Sequence, residues 1–176
     1  KAIEINFFGT YLICKYFISF LRASKIKKII NFAGGGAFNP FPNYSSYASS
    51  KAALVRFSET LALELKDEKI LVNCIAPGFI VTPLHKATIA AGSKRAGKKF
   101  LNFTKRKLRK DSVPIELPVK CVKFLISKKS KNLTGKTISA SFDKWHSKEF
   151  QMKIPNYNKS DIFTMRRINL KNTVYR

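Results

Sequence analysis

Two Tyr-x-x-x-Lys pairs stand in this chain, Tyr11–Lys15 and Tyr47–Lys51. On a helix, residues four apart share one face. A cation beside a phenol favours the phenolate, so the tyrosine's proton affinity falls from its ordinary value near ~10 toward working pH. Such a group can give a proton to a reacting oxygen or take one from it. Spacing alone does not choose between the pairs, because a 176-residue chain with 6 tyrosines and 26 lysines produces about one by chance. Context selects Tyr47. It comes after a short apolar run (residues 28–33), the glycine triplet Gly34–Gly36 and a loop with Pro40 and Pro42, and it opens a helical pattern. Tyr11 sits mid-helix among apolar neighbours, where a core aromatic and a solvated lysine are the plain reading.

Periodicity supplies the elements that must position Tyr47. Phe7, Phe8, Tyr11, Leu12, Cys14, Ile18 and Leu21 recur at three- and four-residue spacing and predict a helix over 4–22. Ser45 or Ser46 caps a second helix running to about residue 66, with Leu54, Phe57, Leu61 and Leu65 as its stripe. A third spans 114–127, with Pro114 in its first turn. Buried-strand runs occupy 28–33, 70–76 and 136–140. Strands alternating with long helices define an α/β fold with a parallel sheet, whose ligands bind beyond the carboxyl ends of the strands, here Ala33-Gly34 and Ala76-Pro77. Residues 83–113 read as a mixed, basic segment, and 141–176 as a polar tail with scattered aromatics and no clear period.

With 176 residues, 45% hydrophobic and 12% aromatic, the chain can build one core, which excludes a disordered polymer, a collagen-like repeat and a disulfide scaffold. Cys14, Cys74 and Cys121 lie far apart without a CxxC pair, pointing to reduced thiols in a cytoplasmic protein and away from a zinc ribbon. His85 and His146 read as surface residues, and no metal site is expected. The apolar stretch 5–21 is interrupted by Asn6 and Lys15 and is shorter than the roughly 20 residues of a membrane span. The formal charge of +24 has a sharp reading, a polyanion partner, and a bland one, a genome rich in lysine codons. Between Lys86 and Lys110 there are ten lysines or arginines and no acidic residue, which would attract a phosphorylated or nucleotide-linked substrate or simply form a solvated loop. No recognition module accompanies the run Lys105–Lys110, so nucleic acid is a disfavoured partner.

Taken in order, the motifs resemble the short-chain dehydrogenase/reductase family over residues 1–140. They are Asn6 within Ile5-Asn6-Phe7-Phe8-Gly9-Thr10; Lys28-Ile29-Ile30-Asn31-Phe32 leading into the glycine run; Tyr47-Ala48-Ser49-Ser50-Lys51-Ala52-Ala53-Leu54; Val72-Asn73-Cys74-Ile75-Ala76-Pro77-Gly78; and Thr82. The resemblance implies a partial doubly wound parallel sheet, the C-terminal part of a Rossmann-like fold. It implies an NAD(P)-dependent oxidoreductase moving hydride between nicotinamide and a carbonyl or alcohol. Tyr47 would be the general acid or base. Lys51 would hold the nicotinamide ribose and lower the tyrosine's pKa, and Asn6 would keep a relay water. Pro77, Gly78, Ile80 and Thr82 would line the nicotinamide, and 83–113 would be the substrate lid. The tail, through Trp145 and residues 160–167, resembles relatives of surface-polysaccharide metabolism, which suggests a nucleotide-sugar substrate. Helices 4–22 and 45–66 are where relatives pair into homo-oligomers.

Two departures qualify this. No strand and Gly-rich turn opens onto a helix N-terminus to hold the pyrophosphate, so the chain reads as the C-terminal portion of a family member, alone unable to bind NAD or NADP. The family's catalytic serine is replaced at Ala33/Gly34, with Ala33 standing where relatives with a Ser-Gly-Gly-Gly run carry it. Loss of such a donor costs about 10²–10³ in rate. The alternative reading is therefore a non-catalytic remnant or pseudoenzyme.

Overall fold

A computed structural model describes residues 1–167. A π-helical turn, Glu4–Phe8, runs into α1 (Gly9–Ala23). Then come β1 (Lys28–Phe32), α2 (Ser45–Glu64), β2 (Leu71–Ala76), α3 (Pro83–Ala96), α4 (Lys98–Lys110), α5 (Glu116–Ile126), β3 (Thr137–Ser139) and α6 (Lys148–Asn158). The strands form one parallel sheet in the order β1-β2-β3, with Ile30 opposite Asn73 and Ile75 opposite Ile138.

The sheet is covered on both faces, which is why its strands read as nearly unbroken apolar runs. On one face Cys14 of α1 and Leu61, Ala62 and Leu65 of α2 pack with Val72, and Ile29 joins them. On the other, Cys121, Phe124 and Leu125 of α5 close over Ile75 and Ile138. Buried asparagines mark the same alternation. Asn31 donates to Ser58 of α2 at 2.8 Å, while Asn73 faces the opposite way and donates to the Leu133 carbonyl at 2.7 Å.

Strand edges differ. The outer edge of β3 is met by the chain near its C-terminus, where the Thr137 amide donates to the Phe163 carbonyl at 2.8 Å. No strand among the described residues pairs with the outer edge of β1. A cavity of about 480 Å³ runs along it, lined by Ile5, Asn6, Ile13, Phe17, β1 and Lys51. Beside that cavity Ile5, Ile13, Phe17 and Phe20 are between 58% and 70% exposed.

The structure corrects three local expectations. Residues 83–113 hold two helices, packed together, rather than an irregular segment. Residues 148–158 form α6, whose Phe150 and Ile154, with Trp145, are buried in the α5-side core. Neither Ser45 nor Ser46 caps α2; its cap position is Tyr44, without a side-chain cap bond.

Lys28 ties the start of β1 to the end of α5. Its ammonium donates to the Leu125 carbonyl, the Ser127 carbonyl and Ser130 Oγ, each at 2.8 Å. A cation is favoured there, where terminal helix carbonyls lack intrahelical partners. Lys28→Met keeps the stem and removes three hydrogen bonds, leaving Ser130 Oγ as the side-chain donor to the Leu125 carbonyl. It should lower stability by about 1–3 kcal/mol, read from the denaturant midpoint at unchanged slope.

Candidate active site

β1 delivers its last residues to the carboxyl edge of the sheet, where α2 begins. The Ala33 amide donates to the Ile75 carbonyl at 2.9 Å, extending the ladder one residue past the strand. Ala33 itself is buried among Leu54, Val55 and Cys74. Gly34, in extended backbone, faces the other way. A Cβ on it would collide with the Tyr47 hydroxyl and stand 3.5 Å from Lys51 Cγ. The phenol, the lysine stem and the bare Gly34 backbone therefore converge. Of the two positions that could stand for the missing serine, 34 and not 33 meets the phenol.

Lys51 donates to the Phe32 carbonyl at 2.8 Å, which engages one of the three donors of an ammonium. Burial raises the Tyr47 phenol's pKa above its ordinary value and lowers that of the Lys51 ammonium. Burial is the cause of the phenol's rise, opposite to the lowering expected from a neighbouring cation, and the ammonium is turned onto a backbone carbonyl.

Asn6 reaches the same helical turn. Its Nδ2 donates to Ser50 Oγ at 3.0 Å, and that hydroxyl donates to the Tyr47 carbonyl at 2.7 Å. Asn6 lies in the π-helical turn, a geometry frequent at functional sites. Ser50, fully buried, was not signalled as a site residue; a serine in a helix interior gives no clue from type or spacing.

Pro77–Thr82 leave the carboxyl end of β2, beside the end of β1. Gly78 has φ +86°, and a side chain there would crowd Val113 and Ser141. Ile80 is half-buried. Thr82 starts α3 in a capping box with His85: His85 Nδ1 lies 3.3 Å from the Thr82 amide and 3.1 Å from its hydroxyl. His85 is thus a half-buried cap packed on Phe79 at 4.0 Å rather than a plain surface residue, whereas His146 is exposed. Thr82's hydroxyl is already occupied by this cap.

Aromatic rings join α3 and α4 to Tyr47. Phe41 stands edge-on to Tyr47 at 6.2 Å, stacks on Tyr44 at 4.7 Å and meets Phe100 of α4 at 4.6 Å. Tyr44 also hydrogen-bonds Thr88 of α3 at 3.0 Å. Leu101 and Thr104 of α4 are buried, while Lys98, Lys99, Lys105, Arg106, Arg109 and Lys110 line its more open side. Two of the α4 cations, Arg106 and Lys107, lie over the ring of Phe103, at 5.8 and 5.9 Å, and Phe103 stacks on Phe100. Among the described residues no His/Cys/Asp/Glu cluster suits a metal, all three cysteines are free and buried, and no helix is long and apolar enough to cross a membrane.

The family profile described as short chain dehydrogenase matches residues 1–115, and the chain belongs to this short-chain dehydrogenase/reductase family. It is 33% identical over 138 residues to dehydrogenase/reductase SDR family member 4 of Oryctolagus cuniculus, covering 78% of this chain and 51% of that protein. Among solved structures it is similar to Thermoplasma acidophilum aldohexose dehydrogenase (26% identity, TM-score 0.64, 78% of this chain and 55% of that one). It is also similar to 4-hydroxyisoleucine dehydrogenase complexed with NADH (25%, TM-score 0.63, the same shares). The chain spans about half the length of the curated relatives it matches.

This geometry has two measurable outcomes. Ala33→Ser places a hydroxyl in the core and should cost about 1–3 kcal/mol in a denaturant titration. Gly34→Ser should instead displace the phenol, visible as a changed Tyr47 titration. The second outcome concerns pH. Burial lowers the His85 pKa. The unfolded chain then binds a proton more readily than the folded one, so this stability is complete above about 6.5 and is lost as pH falls toward the folded pKa. Melting temperature should drop between pH 7.5 and 5.5 by less in His85→Gln than in the parent.

Proposed function

We propose that residues 1–140 are the catalytic portion of an NAD(P)-dependent oxidoreductase acting on a carbonyl or alcohol. The observation that carries this is the meeting of the Tyr47 phenol, the Lys51 stem and the Gly34 backbone at the carboxyl edge of the sheet, with Asn6 tied to the same turn. Tyr47 gives its proton to the carbonyl oxygen in reduction and takes one from the alcohol in oxidation. A nicotinamide cofactor, when bound, supplies or accepts the hydride.

The residues present fit such a group in part. Lys51 has two donors beyond the one on Phe32, suited to ribose hydroxyls, and it shares the β1-edge cavity with Asn6. Pro77, Gly78, Ile80 and Thr82 would line the nicotinamide, Thr82 after release from its cap. No Gly-rich phosphate turn lies in this sequence, so the pyrophosphate would be held by polypeptide outside residues 1–176. That polypeptide would also decide between NAD and NADP. Hydride transfer excludes water best in a covered site, and α3 and α4, resting on the aromatic wall, would be that cover.

The rings of Phe41, Tyr44 and Phe100 between α4 and Tyr47 favour an uncharged group at the reacting end. A nucleotide-sugar substrate would need its phosphates to reach the exposed lysines and arginines of α4. The exposed Phe8 and Tyr11, whose ring lies 5.8 Å from Phe57 of α2, support pairing through the two long helices. We place the protein in the cytoplasm on its unpaired cysteines. A second reading, a non-catalytic remnant, is favoured by Gly34, which supplies no hydroxyl to the substrate oxygen.

Joining this chain to the N-terminal half of dehydrogenase/reductase SDR family member 4 tests the proposal. The 176-residue chain alone should give no saturable nicotinamide fluorescence change, and the chimera should bind NADH or NADPH and reduce a carbonyl. Tyr47→Phe in the chimera should then cut turnover by about 10²–10⁴. Cofactor binding without turnover, unaltered by Gly34→Ser, establishes the remnant reading.

A further inference from the structure

Beyond the motifs, a polar network among the described residues lies on α2, past Lys51. Glu59 is only 7% exposed. Its Oε1 accepts from the Met165 amide at 2.6 Å, and its Oε2 stands 2.7 Å from Arg56 and 3.6 Å from Arg166. Arg56 and Arg166 both donate to the Met165 carbonyl, at 2.5 and 2.9 Å. Upstream, the ammonium of Lys136, itself buried, donates to the Ser160 carbonyl at 2.6 Å, and Phe163 closes the edge of β3. Residues 160–166 are thus strapped across β3 and α2 through their backbone. At the end of this strap the Met165 side chain packs against Ala33, Ala37, Leu54, Val55 and Cys74. Those residues are the underside of the site. Ala33 and Ala37 bracket the glycine run that faces Tyr47, and Leu54 and Val55 are the turn after Lys51.

We propose that residues 160–166 form a strap that holds the Lys51 turn and the Ala33–Ala37 loop in register, with Glu59 as its latch and Met165 as its wedge. Glu59 and Met165 are positioning residues, since neither touches the phenol or the ammonium. The proposal rests on the acid–base reading of Tyr47 and Lys51 for its functional meaning, and its test does not use turnover. Glu59 takes one hydrogen bond, from the Met165 amide, while its Oε2 meets the two guanidiniums as ion pairs without a hydrogen bond, so a single substitution that removes either contact should free the strap while leaving the sheet intact.

The three buried cysteines report this. Cys74 lies in the cluster under Met165, whereas Cys14 packs under α1 and Cys121 under α5. The full chain and its Glu59→Gln, Met165→Ala and Arg166→Ala variants are labelled with N-ethylmaleimide and read by peptide mass. Labelling of Cys74 should rise about tenfold in the variants, with Cys14 and Cys121 unchanged. In the same samples, the midpoint of Lys51 acetylation against pH should rise toward the ordinary value near ~10.4 as its seat loosens. Arg166→Ala, a surface change, keeps the test open if Glu59→Gln does not fold. Equal acceleration of all three cysteines, no acceleration of Cys74, or faster Cys74 labelling with an unmoved Lys51 midpoint overturns the proposal. Failure of the chimera to reduce a carbonyl would overturn the oxidoreductase reading and leave this one standing.

Discussion

The seat of the candidate acid–base group depends on residue 34 having no side chain. The parallel ladder fixes where β1 ends, because the Ala33 amide is held by Ile75, and α2 is fixed in turn by packing Leu54 and Val55 against Ala33 and Cys74. Between these two anchored elements the phenol of Tyr47 has one place to go, and it occupies the volume a Cβ at 34 would fill. Interiors are close-packed and transmit such constraints over a few ångströms. A side chain at 34 and the present position of the phenol are mutually exclusive, so the missing Cβ sets where the phenol lies. Burial then raises the phenol's pKa, while the lysine that would oppose this turns to a backbone carbonyl.

Periodicity and punctuation made the three strands and the helices at 4–22 and 45–66 legible, because a sheet covered on both faces writes itself as apolar runs bounded by Gly and Pro. Tyr47 and Lys51 were legible through context rather than spacing, and the family motifs pointed to Asn6 and the 77–82 turn. Other features left weaker traces. α4 buries Leu101 and Thr104 beneath a surface of lysines and arginines, so its high charge masks a clean two-sided helix. α6 contains Pro155, which discourages a helical reading, yet Phe150 and Ile154 are core residues. His85 looked like a stray surface histidine because capping depends on which backbone amides lie nearby. Glu59 gave no signal because, apart from Arg56, its partners Met165 and Arg166 stand near the far end of the chain.

Charge and chemistry separate in space. The net charge of +24 invites an anionic substrate, but what α4 sets nearest Tyr47 is aromatic, Phe100 against Phe41, while most of its cations are exposed. Like charges at i and i+4, such as Lys105 with Arg109 and Arg106 with Lys110, weaken a solvated helix slightly. α4 persists because tertiary packing of Phe100 and Leu101 outweighs that repulsion, as is usual for short helices whose stability comes from a buried face. The basic character is thus compatible with the fold without being required by the candidate site.

The two sheet edges are closed by different means. At β3 the chain supplies its own cover, with Phe163 accepting from the strand and the Glu59 network pinning Met165 just beyond it. At β1 the backbone edge stands beside a cavity flanked by exposed Ile5, Ile13, Phe17 and Phe20. A hydrophobic edge left bare is a template for further strand pairing and a hazard for aggregation. The same cavity reaches Asn6 and Lys51, so any polypeptide that completes the sheet at β1 would also form the wall beside the candidate site. A strand pairing with β1 would therefore lie against Lys51, so the bare sheet edge and the candidate site share one wall.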